Sequence, residues 1–338
     1  MMLTRPSVSV VVPVFREGER VRVVLETILR QTISSNSLEV LVVSPEENQV
    51  EREICCEYAD ILRAKYLVSD SQGRAQGLNY AIRRSVGDFI CRIDGRSIVP
   101  DDYIARMLKT ATEKDAAVVG GVQRALLHGD SPWQDAIAMC MNSPCGAGPS
   151  PHRTARRSGP TDAVYLGLYR RELFEQVGWF DEKSAVISEE VDFYVRVRAS
   201  GGVVWLDADL IIGYTPRASL INQFKLYFRY GGAKVAIAQK YKTLINLRQL
   251  VAPGFYGVIG ILITVAPFWI YATNTLALLV GGYVAAVSIC AFRESALVHN
   301  LSLWPKGVIT MMAMHAGYAL GYWRKIFFKD LPGTYWPG

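Results

Sequence analysis

The stretch Phe89–Pro100, FICRIDGRSIVP, decides how the rest of the chain is read. It opens as an apolar run and ends on a lone carboxylate, Asp94, followed directly by Gly95 and Arg96. What that acid does depends on its neighbours. Upstream, SVSVVVPV (Ser7–Val14), LEVLVV (Leu38–Val43) and AKYLV (Ala64–Val68) are further runs of strand length and strand composition. Between them Val21, Val24, Leu25, Ile28 and Leu29, and later Ala75, Leu78, Ala81 and Ile82, recur at helical spacing. Asp101–Thr112 reads as a helix after Pro100, and AAVVGGV (Ala116–Val122) as another strand. Alternating strands and helices predict an α/β fold, a mostly parallel sheet flanked by helices on both faces. In such sheets ligands collect at the carboxyl ends of strands, and Asp94 stands at one.

Half of the 338 residues are apolar, ample for a core, and the formal net charge is a modest +6. The apolar content is uneven. Residues 1–249 mix charge and apolar runs as soluble domains do, whereas 250–323 carry few charges. Lys225, Arg229, Lys234, Lys240, Lys242 and Arg248 crowd just before that tail, which suits a face against anionic lipid. No stacked-aromatic or zinc-finger motif supports a nucleic-acid partner. The six cysteines form no disulfide framework and read as free cytosolic thiols. The first apolar run lacks a cleavage-site pattern, so it reads as a strand and the first domain as cytosolic.

Asn142–Pro160 is rich in Gly, Pro, Ser and Arg and reads as a long loop; Arg153, Arg156 and Arg157 in it suit either a phosphate-facing lid or a solvated surface. SEEVDFYVRVRASGG (Ser188–Gly202) reads as a helix with Ser188 as N-cap, acids in the first turn, and a glycine stop. VVWLDADLIIGY follows as short strands. Residues 216–249 read as basic amphipathic interfacial helices broken at Gly231–Gly232. Val251–Ala272 and Thr275–Phe292 are long enough to form a transmembrane hairpin. Gly307–Trp323, with His315, is a third, shorter apolar run. Basic residues before the first span and Arg293 after the second put both flanks in the cytosol, at an inner membrane crossed more than once. A third full span would put Arg324, Lys325 and Lys329 outside, against that rule; a re-entrant or in-plane segment removes the conflict. The resulting division is 1–215 for a cytosolic α/β domain, 216–249 for the interfacial helices, 250–323 for the membrane region and 324–338 for a tail.

Three constellations carry possible chemistry. Pro13, Arg16 and Glu17 follow the first strand; there is no glycine-rich phosphate loop, so this turn either holds a base or ribose or simply links strand to helix. Asp94 either meets a hard cation together with substrate phosphates or is a turn aspartate. Glu189, Glu190 and Asp192 either supply a general base or complement a helix dipole.

The order of these parts resembles the inverting family 2 glycosyltransferases with the GT-A fold, in particular the membrane-anchored bacterial enzymes of the succinoglycan-biosynthesis ExoA type. VSVVVPVFREGERV, GRAQGLNYAIRRSVGDFICRIDGRS, AVYLGLYRRELFEQVGWFDE, SEEVDFYVRVRASGG and YTPRASLINQFKLYFRYGG carry the resemblance. It implies that Pro13, Arg16 and Glu17 lie in the nucleotide-contacting loop, and that Arg74 and Asn79 lie near the donor. It matches Asp94 to the first acid of the DxD motif, beside sugar and metal. Glu190 matches the catalytic base, flanked by Glu189 and Asp192, and Arg229–Tyr230 match the end of a Q-x-x-R-W segment near the acceptor. There are departures. Ser44 and Pro45 stand where a uridine-contacting acid is usual, unless Glu46 or Glu47 replaces it; Arg96 replaces the second DxD acid and could pair with the diphosphate; Leu226 replaces the glutamine of Q-x-x-R-W. The implied activity moves a hexose, expected to be glucose, from a UDP-sugar to a lipid-diphosphate-linked saccharide in exopolysaccharide or other cell-surface glycan synthesis. The implied cofactor is Mg²⁺ or Mn²⁺, and the implied partners include membrane lipid and other polysaccharide-assembly proteins. A membrane scaffold that has lost catalysis and a processive synthase are the alternatives.

Overall fold

The computed structural model describes residues 7–71, 73–129, 131–182, 189–242 and 247–328. Ser188 and Lys329 therefore lie outside the described residues. The strands, in chain order, are β1 (Val8–Pro13), β2 (Leu38–Ser44), β3 (Ala64–Val68), β4 (Phe89–Arg92), β5 (Ser97–Ile98), β6 (Val118–Ala125), β7 (Gly159–Pro160), β8 (Tyr165–Arg170) and β9 (Val204–Tyr214). The helices of the first half are α1 (Arg20–Leu29), α2 (Gln49–Glu57), α3 (Ala59–Leu62), α4 (Arg74–Arg84) and α5 (Tyr103–Glu113). Then come α6 (Pro132–Asn142), α7 (Pro144–Ala147), α8 (Pro151–Thr154), α9 (Glu172–Gln176) and α10 (Glu189–Ala199). The C-terminal helices are α11 (Leu220–Tyr241), α12 (Leu247–Val265), α13 (Ile270–Leu297) and α14 (Trp304–Phe327).

One sheet runs in the order β3-β2-β1-β4-β8-β6-β9-β5, with β7 paired to β9. β1 pairs in parallel with β2 and β4, and β2 with β3. β8 enters antiparallel to both β4 and β6. The first half is thus a parallel α/β sheet, and the second half turns mixed. All six residues of β1 are buried, as a central parallel strand covered on both faces must be. Val8, Val10 and Val12 face one core with Leu25, Ile54 and Ile104; Val11 faces the other with Leu78, Ile90 and Phe193. That alternation is the period of a pleated strand. Because β1 to β4 run together, their carboxyl ends open on one edge, where the loops after Pro13, Ser44, Val68 and Arg92 meet.

The segment read as a long loop contains α7, α8 and β7. The stretch read as short strands is one 11-residue strand, β9. The expected break at Gly231–Gly232 is absent, and α11 is a continuous 22-residue helix. Its glycines serve contact instead. A Cβ on Gly231 would lie 2.0 Å from the Tyr318 carbonyl oxygen, and one on Gly321 would lie 1.8 Å from that of Phe228. Two backbones this close need residues without side chains. The third apolar run is therefore the contact helix α14. It buries Met311, Met314, Gly317 and Ala319 against the rest of the molecule. His315 Nδ1 lies 2.9 Å from Tyr283 Oη, and its Nε2 lies 2.7 Å from the Cys145 carbonyl oxygen, so α14 is stitched to α13 and α7.

Among the described residues two helices, α12 and α13, are long and apolar enough to cross a membrane. Their large side chains face outward: Phe268 in the connecting turn is 89% exposed and Leu278 77%. A soluble core helix would bury such groups, so this surface fits association with a membrane.

Replacing Gly321 with leucine is expected to push α14 off α11 and lower the thermal midpoint in detergent, by an overpacking cost of about 1–3 kcal/mol or more. An unchanged midpoint would mean the two backbones do not meet here.

Candidate active site

At the shared edge, the turn after β4 lies against the loop after β1. A Cβ on Gly95 would meet Val14 Cγ1 at 3.2 Å, Glu17 Cγ at 3.3 Å and the Pro13 carbonyl oxygen at 3.5 Å. Arg96 Nε donates to Glu17 Oε1 at 2.8 Å. The β1 loop is itself held by buried Glu51 of α2, whose Oε1 accepts from the backbone N–H of Glu17 (2.7 Å) and of Gly18 (3.2 Å). Arg16 adopts a left-handed backbone, φ 54°, and reaches Glu46 beyond β2, Nε to Oε1 2.7 Å. Glu47 instead pairs with Arg52. Of the two candidates to replace the missing acid after β2, Glu46 is the one that faces the β1 loop.

Arg92 organises the centre. Its side chain is 5% exposed. Nε donates to Asp94 Oδ1 at 2.7 Å and Nη2 to Asp94 Oδ2 at 3.1 Å, a two-point grip. Nη1 donates to Glu189 Oε1 at 2.8 Å and lies 3.5 Å from Glu190 Oε2. Arg74, the first residue of α4, also donates to Glu189 Oε1, at 2.8 Å. It lies 3.8 Å from Asp94 and 4.0 Å from Glu190. Asp94 and Glu190, far apart in sequence, therefore converge on the same two guanidinium groups. Arg92 carries only a faint mark in the sequence. Its signal was a single charge inside an apolar strand, two residues before Asp94 and so on the same face.

The two glutamates differ. Glu189 is clamped by two arginines. Glu190 keeps a quarter of its side chain open, yet its Oε2 is sealed from solvent and accepts no hydrogen bond. Burial pushes the Glu190 carboxyl up to about 7; the charge of Glu189 adds to this and Arg92 opposes it. A partly open carboxyl poised near neutrality is suited to take a proton.

Asp192 and Asn79 are tied into packing contacts. Asp192 Oδ1 accepts from Lys240 Nζ (2.5 Å) and Tyr241 Oη (2.7 Å) of α11, and Oδ2 from Arg196 (2.9 Å). It fastens α10 to α11. Asn79 is buried and bound to the turn before α10, donating to the Phe180 carbonyl (2.9 Å) and to Glu182 (2.7 Å) and accepting from the Phe180 N–H (3.1 Å). Arg229 is half-buried on α11, and Tyr230 stacks edge-on against Tyr227 at 5.6 Å.

Among the described residues no group of three metal-ligating side chains occurs. Asp94 is the carboxylate at this turn, and Arg96 cannot bind a cation. Both Asp94 oxygens already accept from Arg92, so a divalent ion here would be carried chiefly on a diphosphate and met by one shared protein carboxylate. The donor set does not fit an ion caged by protein alone.

The family model described as Glycosyl transferase family 2 matches residues 9–178, and the chain belongs to that family of nucleotide-sugar-dependent transferases. It is 27% identical to the succinoglycan biosynthesis protein ExoA of Rhizobium meliloti (strain 1021), over 96% of each chain. It is 20% identical to the dolichyl N-acetyl-alpha-D-glucosaminyl phosphate 3-beta-D-2,3-diacetamido-2,3-dideoxy-beta-D-glucuronosyltransferase of Methanococcus voltae, over 78% of this chain and 84% of that one. Among solved structures, the mannosyltransferase PcManGT of Pyrobaculum calidifontis, in complex with GDP-Man and Mn²⁺, superposes with a TM-score of 0.62 at 18% identity, covering 97% of this chain and 89% of that one. The fold is accordingly of the GT-A type, with a C-terminal helical region.

A raised carboxyl holds its proton in the folded chain after the unfolded chain has released it. Glu190 thus favours folding at low pH and opposes it as pH rises from about 4.3 towards 7. Glu190→Gln is expected to gain in thermal midpoint relative to the parent on going from pH 5 to pH 8. A difference that stays constant across that range would refute the raised carboxyl.

Proposed function

We propose that this transferase moves a hexose, with glucose the expected sugar, from a UDP-sugar to a lipid-diphosphate-linked saccharide, inverting the anomeric carbon. The convergence of Asp94 and Glu190 on Arg92 and Arg74 carries this reading. The donor would lie across the ends of β1 to β4, its nucleotide against Pro13, Arg16 and Glu17. Glu190 takes the proton of an acceptor hydroxyl. The freed oxygen pair forms a bond to the anomeric carbon from the face opposite the diphosphate. The carbon–oxygen bond to the diphosphate breaks, and UDP leaves with that electron pair. Arg96 spends its Nε on Glu17, and its two terminal nitrogens make no hydrogen bond with a described residue, so they can donate to the departing oxygens. Arg74 adds a second positive charge. A Mg²⁺ or Mn²⁺ ion held by Asp94 would supply further charge neutralisation at the diphosphate. Asp192 and Asn79 act by position, holding α10 and the turn before it.

The apolar hairpin supports a site beside a bilayer, with the transferase half on the cytosolic side and α14 returning to it. A lipid-borne acceptor agrees with the name of the archaeal relative, whose acceptor is a dolichyl phosphate sugar. Work in exopolysaccharide assembly agrees with the name of the rhizobial one.

The test is turnover with a panel of UDP-hexoses and lipid-linked acceptors, with and without chelator. Glu190→Gln is expected to lower kcat by about 10²–10⁴-fold while UDP affinity holds. Parental kcat/KM should rise with pH and level off above about 7, because the base must be ionised. Equal UDP release by parent and Glu190→Gln would instead favour a scaffold that has lost catalysis.

A further inference from the structure

Arg153 is an anomaly in this molecule. It lies on α8 and is only 7% exposed, yet its side chain makes no ion pair and no hydrogen bond with any described residue. Its titratable neighbours are the phenols of Tyr165, Tyr214, Tyr227 and Tyr230 and the ring of His152. The phenols cannot neutralise it, since burial holds the Tyr230 phenol up at about 12 and raises those of Tyr165 and Tyr227 as well. Lys234, half-buried on α11, likewise has no ion pair or hydrogen bond with a described residue, and its charge and that of Arg153 both act on the ring of His152. The nearby Asp162 is taken by Arg248, Nη2 to Oδ2 3.1 Å. Exposed Arg156 and Arg157, also without acid partners among the described residues, line an open cleft of about 480 Å³ with Pro149, Pro151, Thr154 and Ala155. Burying a guanidinium without an anion costs several kcal/mol, so the counter-charge is expected to arrive with a ligand.

We propose that Arg153 and Lys234, roofed by residues 149–157, form a second anion site that takes the diphosphate of the lipid-borne acceptor. Its elements are distinct from those of the donor edge: α8 and α11 build it, whereas β4, α4 and the β1 loop hold the donor. It is linked to the membrane end, because Arg248, in the first turn of α12, donates from Nη1 to the Pro149 carbonyl at 2.8 Å. It is also linked to the base: Glu190 acts electrostatically on both Tyr230 and Lys234. A lipid diphosphate held here would present its sugar towards Glu190 while its chain leaves along the hairpin. The identity of the anion rests on the acceptor proposed above; the anion site itself does not.

The test uses the full chain in detergent and three probes: farnesyl diphosphate, farnesol and UDP. Arg153→Gln and Lys234→Gln are each expected to weaken farnesyl diphosphate binding by about tenfold or more, with UDP affinity within about twofold of the parent. Intact UDP binding also reports that a variant is folded; should Arg153→Gln fail to fold, Lys234→Gln carries the test alone. Farnesol binding as tightly as farnesyl diphosphate, UDP weakening in step with it, or an unchanged farnesyl diphosphate affinity would each overturn the assignment. The assay needs no turnover. Selective loss of farnesyl diphosphate in a chain that transfers no sugar would leave this site standing and defeat the proposed reaction, and transfer with unaffected farnesyl diphosphate would do the reverse.

Discussion

The buried guanidinium of Arg92 is the constraint on which the candidate site depends. A strand delivers it, a helix start and a strand end deliver its carboxylates, and none of these charges could be buried alone. Removing one partner of such a group costs about 3–5 kcal/mol, because the remaining charge is left stranded in a poor dielectric. The sheet and α10 are thereby locked in one relative position by the same contact that shapes the chemistry. Glu190 sits at the edge of this network, near enough to share its field and too poorly bonded to be fixed by it. Glu189, by contrast, is held by two arginines.

Much of this was legible in the chain. β1 to β4 stand out because parallel strands covered on both faces are written as β-branched runs, and α1 and α4 because their apolar residues repeat at helical spacing. Asp94 could be placed at a strand end without coordinates. Arg92 could not be recognised, because the value of a charge inside a strand depends on a partner about a hundred residues away. The region after Asn142 was under-read. Ser143-Pro144 and Ser150-Pro151 are each a serine followed by a proline at the first helical position, a short-helix signal that the Gly-rich composition concealed. The glycines of α11 misled for a related reason. Local propensity makes Gly-Gly a breaker, but here α14 lies so close that other residues would not fit.

The third apolar run follows the same logic. Its composition resembles a bilayer span, but its glycines and methionines are consumed by α11, α6 and α13. Two helices remain with their apolar surface uncovered. The C-terminal region is thus divided by function: α12 and α13 face outward, and α11 and α14 form a girder between them and the sheet.

That girder sets a limit on how the protein can be cut. The stretch that carries the family signature ends at residue 178, ahead of α10 and of everything that supports it. Lys240 and Tyr241 come from the far end of α11, yet they satisfy Asp192 in the helix that presents Glu190. Deleting the hydrophobic tail would keep Lys240 and Tyr241 but strip α14 from α11, and would uncover Met139 and Tyr227, which α14 and its neighbours now shield. A fragment that keeps Asp192 satisfied therefore reaches past the signature to the end of α11.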